Sequence, residues 1–300
     1  MNKISASQEN DQESRETRRD RIKRYLKAAG LYRGAVYFYS TALNIYAQCK
    51  NEVQFLRGVL QNTAYRKKTD TDGLPFPPAR VVYLVTNTYT HQWFYDSGIK
   101  GSQCIRTILK KNNFKINKFS SILDFGCGCG RIMRHWKNLN GPKLYGSDYN
   151  PKLVKWCASN LPFAEFATNP LESGFNYEDE KFDFIYAISV FTHLTEKMGL
   201  FWIRELDRVL KPKGVMYLTF MGTTRALLLR KELRDRFEAG QIVVTGSELA
   251  GKNTCAAFHP EQYVRNVFAK GLNVLDFVPG GATDAFQDVF LLQKKSKYAE

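Results

Sequence analysis

Residues 122–131 read Ile122-Leu-Asp-Phe-Gly-Cys-Gly-Cys-Gly-Arg131, and this stretch decides the fold. A short apolar run with the composition of a buried strand ends abruptly in Gly126, Gly128 and Gly130. Helical spacing with Ile132 and Trp136 follows. Glycine lets the backbone turn tightly and lets a ligand approach with no Cβ in the way, and a helix starting beyond the loop offers free N–H groups. The next strand-like run, Lys143-Leu-Tyr-Gly-Ser-Asp148, ends in a carboxylate 18 residues after Gly130. An acid at that spacing can accept hydrogen bonds from both hydroxyls of a ribose. The strand before the glycines ends in Asp124. Its charge would repel phosphate and suits a cationic ligand or an amino group.

Further short apolar runs follow at 163–167, 182–189, 215–220, 272–278 and 289–292, with amphipathic stretches between them. One such stretch places Leu200, Ile203, Leu206 and Leu210 on a single helical face. This alternation predicts an α/β fold: a Rossmann-like, doubly wound sheet of seven mostly parallel strands covered on both sides. Ligands of such sheets bind at the carboxyl ends of the strands. Upstream, residues 1–20 are polar and basic and are expected to be a disordered tail. Residues 21–75 read as a helical extension closed by a linker, Thr69-Asp-Thr-Asp-Gly73 followed by Pro75, Pro77 and Pro78. The α/β domain is then 76–300.

In the 300-residue chain, 44 Lys and Arg face 29 Asp and Glu, a formal charge of +15. Hydrophobic residues at 44% exclude a disordered or collagen-like chain and predict a globular one. The positive surplus admits nucleic acid, anionic lipid or an acidic small substrate without choosing among them. Six cysteines without paired CxxC units predict no metal site. The polar first 30 residues show no signal peptide, so a reducing cytoplasmic setting is expected. The uncharged stretch 34–49 is interrupted by Ser40, Thr41, Asn44 and Gln48 and is too short to span a membrane. It either docks on the rest of the protein or lies on a membrane surface or a partner.

Taken together, these motifs resemble the class I S-adenosylmethionine-dependent methyltransferases. Asp124-Phe-Gly-Cys-Gly-Cys-Gly130 matches that family's first motif and Ser147-Asp148-Tyr-Asn-Pro151 its second. Phe182-Asp183 through Ser189-Val-Phe-Thr-His-Leu194 is similar to its fourth-strand motif. Leu206-Asp-Arg-Val-Leu-Lys-Pro-Lys-Gly214 is similar to the helix and turn before its fifth strand. The closest flavour is a bacterial subgroup acting on glycans and natural products, on Ser189–Leu194, Val278-Pro-Gly-Gly281 and Gln287-Asp288. The resemblance implies S-adenosyl-L-methionine as cofactor. It places Asp124, Gly126, Cys127, Gly128 and Gly130 around the methionine part, Asp148 on the ribose, Tyr149 on the adenine face and Asn169 at the adenine edge. Ser189 and Val190 would lie near the sulfonium. Many relatives carry Asp where this chain has Asn169.

His193 follows the fourth strand, where methyl acceptors sit in this family. It either removes a hydroxyl proton or caps or packs the helix that starts near Thr195. His259, in the long insertion after the fifth strand, either contacts substrate or begins a helix before Pro260. Trp93, Phe94 and Tyr95 are candidates for an aromatic lid over substrate, or for core. Cys127 and Cys129 read as small residues tolerated by a tight loop. The expected activity is O-methylation of a sugar, glycan or other small metabolite. A nucleic-acid (RNA) methyltransferase is the first alternative, suggested by Arg18, Arg19, Arg21, Lys23, Arg24 and Lys27, which could contact phosphates or simply form a solvated helix face. However, the Asn/Asp-Pro-Pro-aromatic run of amino-methylating DNA enzymes is absent at Ser189-Val-Phe-Thr192. A non-catalytic cofactor-binding protein that recruits a membrane or protein partner through residues 21–68 is the second. The last would sit peripherally at the inner membrane surface.

Overall fold

The computed structural model describes residues 18–68, 72–252 and 254–296. The described residues divide into two compact units, with the boundary between Leu56 and Arg57. The division falls inside a helix, upstream of the 69–78 linker at which the sequence suggests it. Helix α1 (Arg18–Ala28) starts within the stretch expected to be a disordered tail, because its Arg and Lys side chains are good helix formers. Residues 1–17 lie outside the described residues. Gly30 ends α1 in the left-handed region at φ +70, and the Leu31 N–H reaches back to the Leu26 carbonyl at 2.9 Å. Helix α2 (Tyr32–Lys68) follows. Its apolar side chains at Tyr37, Phe38, Tyr39, Ile45 and Tyr46 are exposed. No helix among the described residues is long and apolar enough to cross a membrane.

The second unit begins with the end of α2. There Asn62 donates to the Tyr89 carbonyl at 2.9 Å and accepts from the His91 N–H at 2.6 Å. Helices α3 (Ala79–Thr86) and α4 (His91–Lys111) lead into the sheet. The sheet contains β1 (Ser121–Phe125), β2 (Lys143–Asp148), β3 (Glu165–Thr168), β4 (Phe182–Ala187), β5 (Leu210–Phe220), β8 (Leu272–Ala282) and β9 (Gln287–Lys294). Their spatial order is β3-β2-β1-β4-β5-β9-β8, with β9 antiparallel to both neighbours and the pairs from β3 to β5 all parallel. This is the seven-stranded, doubly wound, mostly parallel sheet expected from the sequence. The order reverses between β1 and β4, which opens a crevice at the carboxyl ends of these strands. Helices α5 (Pro151–Asn160) and α6 (Glu196–Val209) are the crossovers. The insertion after β5 holds α7 (Thr223–Ala226), α8 (Lys231–Glu238) and a small second sheet of β6 (Val243–Thr245) and β7 (Ala256–Phe258).

Alternation along the strands builds two cores, one per face. On β5, Met216 and Leu218 join Leu123, Ile185, Trp202 and Phe290 on one side. Val215 and Tyr217 join Ile122, Phe184, Trp136 and Leu291 on the other. One sequence expectation fails here. The glycine loop leads not into a regular helix but into a single 3-10 turn, Met133–Trp136. Ile132, Met133, Arg134 and Trp136 are all buried and His135 is half-buried, so the segment is packed on most sides and offers little of the solvent face an amphipathic helix needs. Arg134 grips Asp72 through Nε at 2.7 Å and Nη2 at 2.8 Å, with its guanidinium 4.7 Å from the Phe76 ring centre. This buried bidentate pair ties the segment before α3 to the floor of the crevice.

Candidate functional site

The crevice holds a cavity of about 640 Å³, within the ~300–1,000 Å³ range of small-molecule sites. Its floor is the glycine loop. Gly126 and Gly128 hold φ +76 and +55, and a Cβ on Gly126 would stand 2.3 Å from Val190 Cγ2. Only glycine gives that conformation and that space. Gly130, also at positive φ, closes the turn against Leu161 and does not line the cavity.

Two carboxylates frame the loop. Asp124 is buried; Tyr186 donates to it, and the Tyr186 hydroxyl accepts from Trp136 Nε1 at 3.0 Å. The other oxygen, Oδ2, is buried without a partner. Burial pushes this carboxyl up to about 7, against the Tyr186 hydrogen bond and the nearby Arg131. A buried carboxylate oxygen left unpaired is costly, and a ligand cation would relieve it. Asp148 is held rigidly: Oδ1 accepts the Asn150 N–H at 2.8 Å and Oδ2 the Gly128 N–H at 2.9 Å. Each oxygen keeps a lone pair for a second donor. Tyr149 lies at the rim, partly exposed. Asn169 also lines the cavity, but its amide is engaged within the chain: Oδ1 accepts from the Ser147 hydroxyl and Nδ2 donates to the Pro170 carbonyl at 3.3 Å.

The opposite wall comes from residues after β4. Ser189, at φ +59, receives support from a polar network: its N–H donates to Thr219 Oγ1 at 2.9 Å and its Oγ accepts from Gln287 Nε2 at 2.8 Å. His193 lines the same cavity. Its Nδ1 lies 2.7 Å from the Cys255 carbonyl, which can only accept, so Nδ1 carries the proton and Nε2 the lone pair. Burial lowers its pKa and the Cys255 contact opposes this without cancelling it, so the ring is neutral at neutral pH. The helix-cap role is taken by Thr195, whose hydroxyl accepts from the Met198 N–H at 3.3 Å.

Two sequence expectations are corrected. His259 does not reach the cavity: β7 delivers its ring, fully buried, among Phe220, Tyr263 and Phe268, and burial pushes it down to about 3. Tyr95 packs edge-on against Phe76 and His135, away from the cavity, whereas its neighbour Trp93 does line it. Cys127 lines the cavity and Cys129 does not; no cluster of metal-ligating side chains occurs among the described residues. Nothing in the sequence marks the buried pair Arg131–Asp284 at 2.8 Å, or Tyr83 and Val85 from α3 as walls. The partners in the pair are 153 residues apart, and nothing local marks either.

Comparison with known proteins bears on this geometry. Residues 123–218 match the family model described as a methyltransferase domain. The sterol 24-C-methyltransferase of Schizosaccharomyces pombe is 27% identical over 146 residues, covering 44% of this chain and 38% of that protein. The chain thus aligns with well under half the length of this curated relative. Among solved structures, a S-adenosylmethionine-dependent methyltransferase from Methanosarcina mazei shares 20% identity, covers 63% of this chain and 98% of its own, and superposes with a TM-score of 0.48. A TehB-like one from Corynebacterium glutamicum shares 16%, covers 66% and 88%, with a TM-score of 0.44. Over residues 123–218, from β1 into β5, the chain is thus similar to methyltransferase domains. S-adenosylmethionine is its cofactor, and the residues present fit it: the unpaired Asp124 oxygen suits the ammonium, Asp148 the ribose hydroxyls, and the bare glycine backbone the close approach of the methionine chain.

The state of Asp124 has a measurable consequence. In the ligand-free protein its carboxyl holds a proton up to about pH 7, and a bound ammonium favours the ionised form. Binding should release that proton, so affinity for S-adenosylhomocysteine should fall as pH drops from about 7 to about 5.5, by at most about tenfold per unit. Calorimetry in buffers of different ionisation heat reads the released proton. Asp124→Asn should bind weakly and with no such slope. A wild-type affinity independent of pH over that interval would contradict the assignment.

Proposed function

We propose that this chain transfers a methyl group from S-adenosylmethionine to an oxygen of a sugar, glycan or other small metabolite. The observation that supports an oxygen acceptor is His193: a neutral imidazole with a fixed tautomer, its basic Nε2 free and its ring lining the cofactor cavity. The cofactor supplies a methyl group on a positively charged sulfur, already activated for displacement. The chain must align the acceptor with that methyl and exclude water. Asp124 and Asp148 would fix the two ends of the cofactor, and Val190 and Ser189 would wall the transfer zone. His193 would take the hydroxyl proton as the acceptor oxygen attacks.

Methyl-labelled S-adenosylmethionine offered with polar metabolites, glycans, RNA and sterols tests this reading. RNA enters because of the +15 charge, and sterol because of the fission-yeast relative's name. Label is expected in a hydroxylated polar acceptor and not in RNA or sterol. Label in RNA together with salt-sensitive RNA retention on filters would replace the reading with the nucleic-acid one. Cofactor binding without any release of S-adenosylhomocysteine would favour a non-catalytic role.

A further inference from the structure

Helix α2 spans 37 residues, about 55 Å at 1.5 Å per residue. Along its first part runs a heptad stripe. Ala35, Ala42, Cys49 and Leu56 recur at seven-residue intervals. Beside them, at +3 and +4, stand Phe38 with Tyr39, then Ile45 with Tyr46, then Glu52 with Val53. A repeat of 3.5 residues over three heptads, apolar except at Glu52, is the pattern of a coiled-coil seam. The alternation of small and bulky positions suits knobs entering holes on a partner helix. The bulky apolar members are exposed, from 47% for Val53 to 77% for Phe38.

We infer that this stripe is the interface of a homodimer, with α2 pairing against α2 of a second copy. Three features favour a second copy. At ~100–150 Å² for each exposed large side chain, the stripe offers roughly 700 Å² per copy, or ~1,400 Å² for a pair, within the range of stable interfaces. Of the helix sides flanking it, one carries Thr41 and Gln48 and the other Val36, Leu43 and Lys50; Lys50 is the one cation between residues 34 and 56, whereas a helix lying on anionic lipid is rich in Lys and Arg. Glu52 is the stripe's one charged residue, and a single polar side chain in a seam sets register at a cost in stability. Tyr37 lies on the far side.

Sedimentation velocity of the full chain should give twice the chain mass at micromolar concentration. Phe38→Lys with Ile45→Lys should give a monomer with unchanged melting of the sheet domain. Asn44→Lys with Gln54→Lys, on the far side, should stay dimeric. If the seam lysines melt α2, Ile45→Ala with Tyr46→Ala takes their place, since alanine raises helix propensity; the dimer dissociation constant should then rise at least tenfold. A wild-type monomer overturns the inference, as does a dimer indifferent to the seam substitutions. A monomer that pellets with phosphatidylglycerol vesicles would assign the stripe to lipid instead. None of these readouts depends on methyl transfer.

Discussion

Asp148→Ala should lose at least about 100-fold in affinity for S-adenosylmethionine, because hydrogen bonds to a charged group contribute ~1.5–3 kcal/mol each and two ribose hydroxyls are at stake. The side chain does two things at once. It presents free lone pairs to the cavity, and it fixes the loop by accepting the Gly128 and Asn150 N–H groups. Alanine removes both, so part of the loss will come from a loosened loop. Asp148→Asn is the milder change. Its carbonyl oxygen can accept one of the two N–H groups, so the loop should loosen less than in alanine while affinity still falls by at least about tenfold, the cost of one charged hydrogen bond. Calorimetric titration gives the affinities, and thermal melting without ligand shows how far the loop has loosened. An alanine variant that binds as tightly as wild type would remove Asp148 from the cofactor site.

His193→Ala should lower turnover by about 10²–10⁴, the usual contribution of a positioned general base, with cofactor affinity nearly unchanged. The pH profile sharpens this. Burial lowers the histidine pKa, so the wild-type rate should be flat through neutral pH and fall only on the acid side, below the ordinary histidine range. His193→Gln offers a further control: it can still touch the Cys255 carbonyl but cannot accept the proton, so it should be as slow as alanine. A glutamine variant with wild-type turnover would leave His193 a packing residue that holds the 247–255 segment through Cys255 and through the Gly251 N–H, which donates to the His193 carbonyl at 2.7 Å.

The parts of this site that could be read from sequence share a property: their chemistry is local. Asp124, the three glycines and Asp148 lie within 25 residues of one another, and strand, turn and strand follow from composition alone. The seven strands were legible for the same reason, since each is a short apolar run closed by a turn. What could not be read depends on contacts between distant segments. His193 and His259 are equal candidates in sequence, one just after the fourth strand and the other in the insertion after the fifth. They differ only because β7 turns His259 into an aromatic cluster, while Cys255, 62 residues away, aims His193 into the cavity. The Arg131–Asp284 pair joins the glycine loop to the turn between β8 and β9, and neither residue stands out from its neighbours. The 3-10 turn after the loop is not legible because Ile132 and Trp136 have helical spacing, and only the burial of Arg134 with Asp72 shows how little outer face the segment has.

The most direct test is a crystal structure of the full chain soaked with saturating S-adenosylhomocysteine. A nucleoside is expected in the β1–β4 crevice, its ribose hydroxyls on Asp148 and its ammonium on Asp124 Oδ2, with the sulfur facing His193. An empty crevice, or the ligand seated elsewhere with Asp124 still unpaired, would contradict the account.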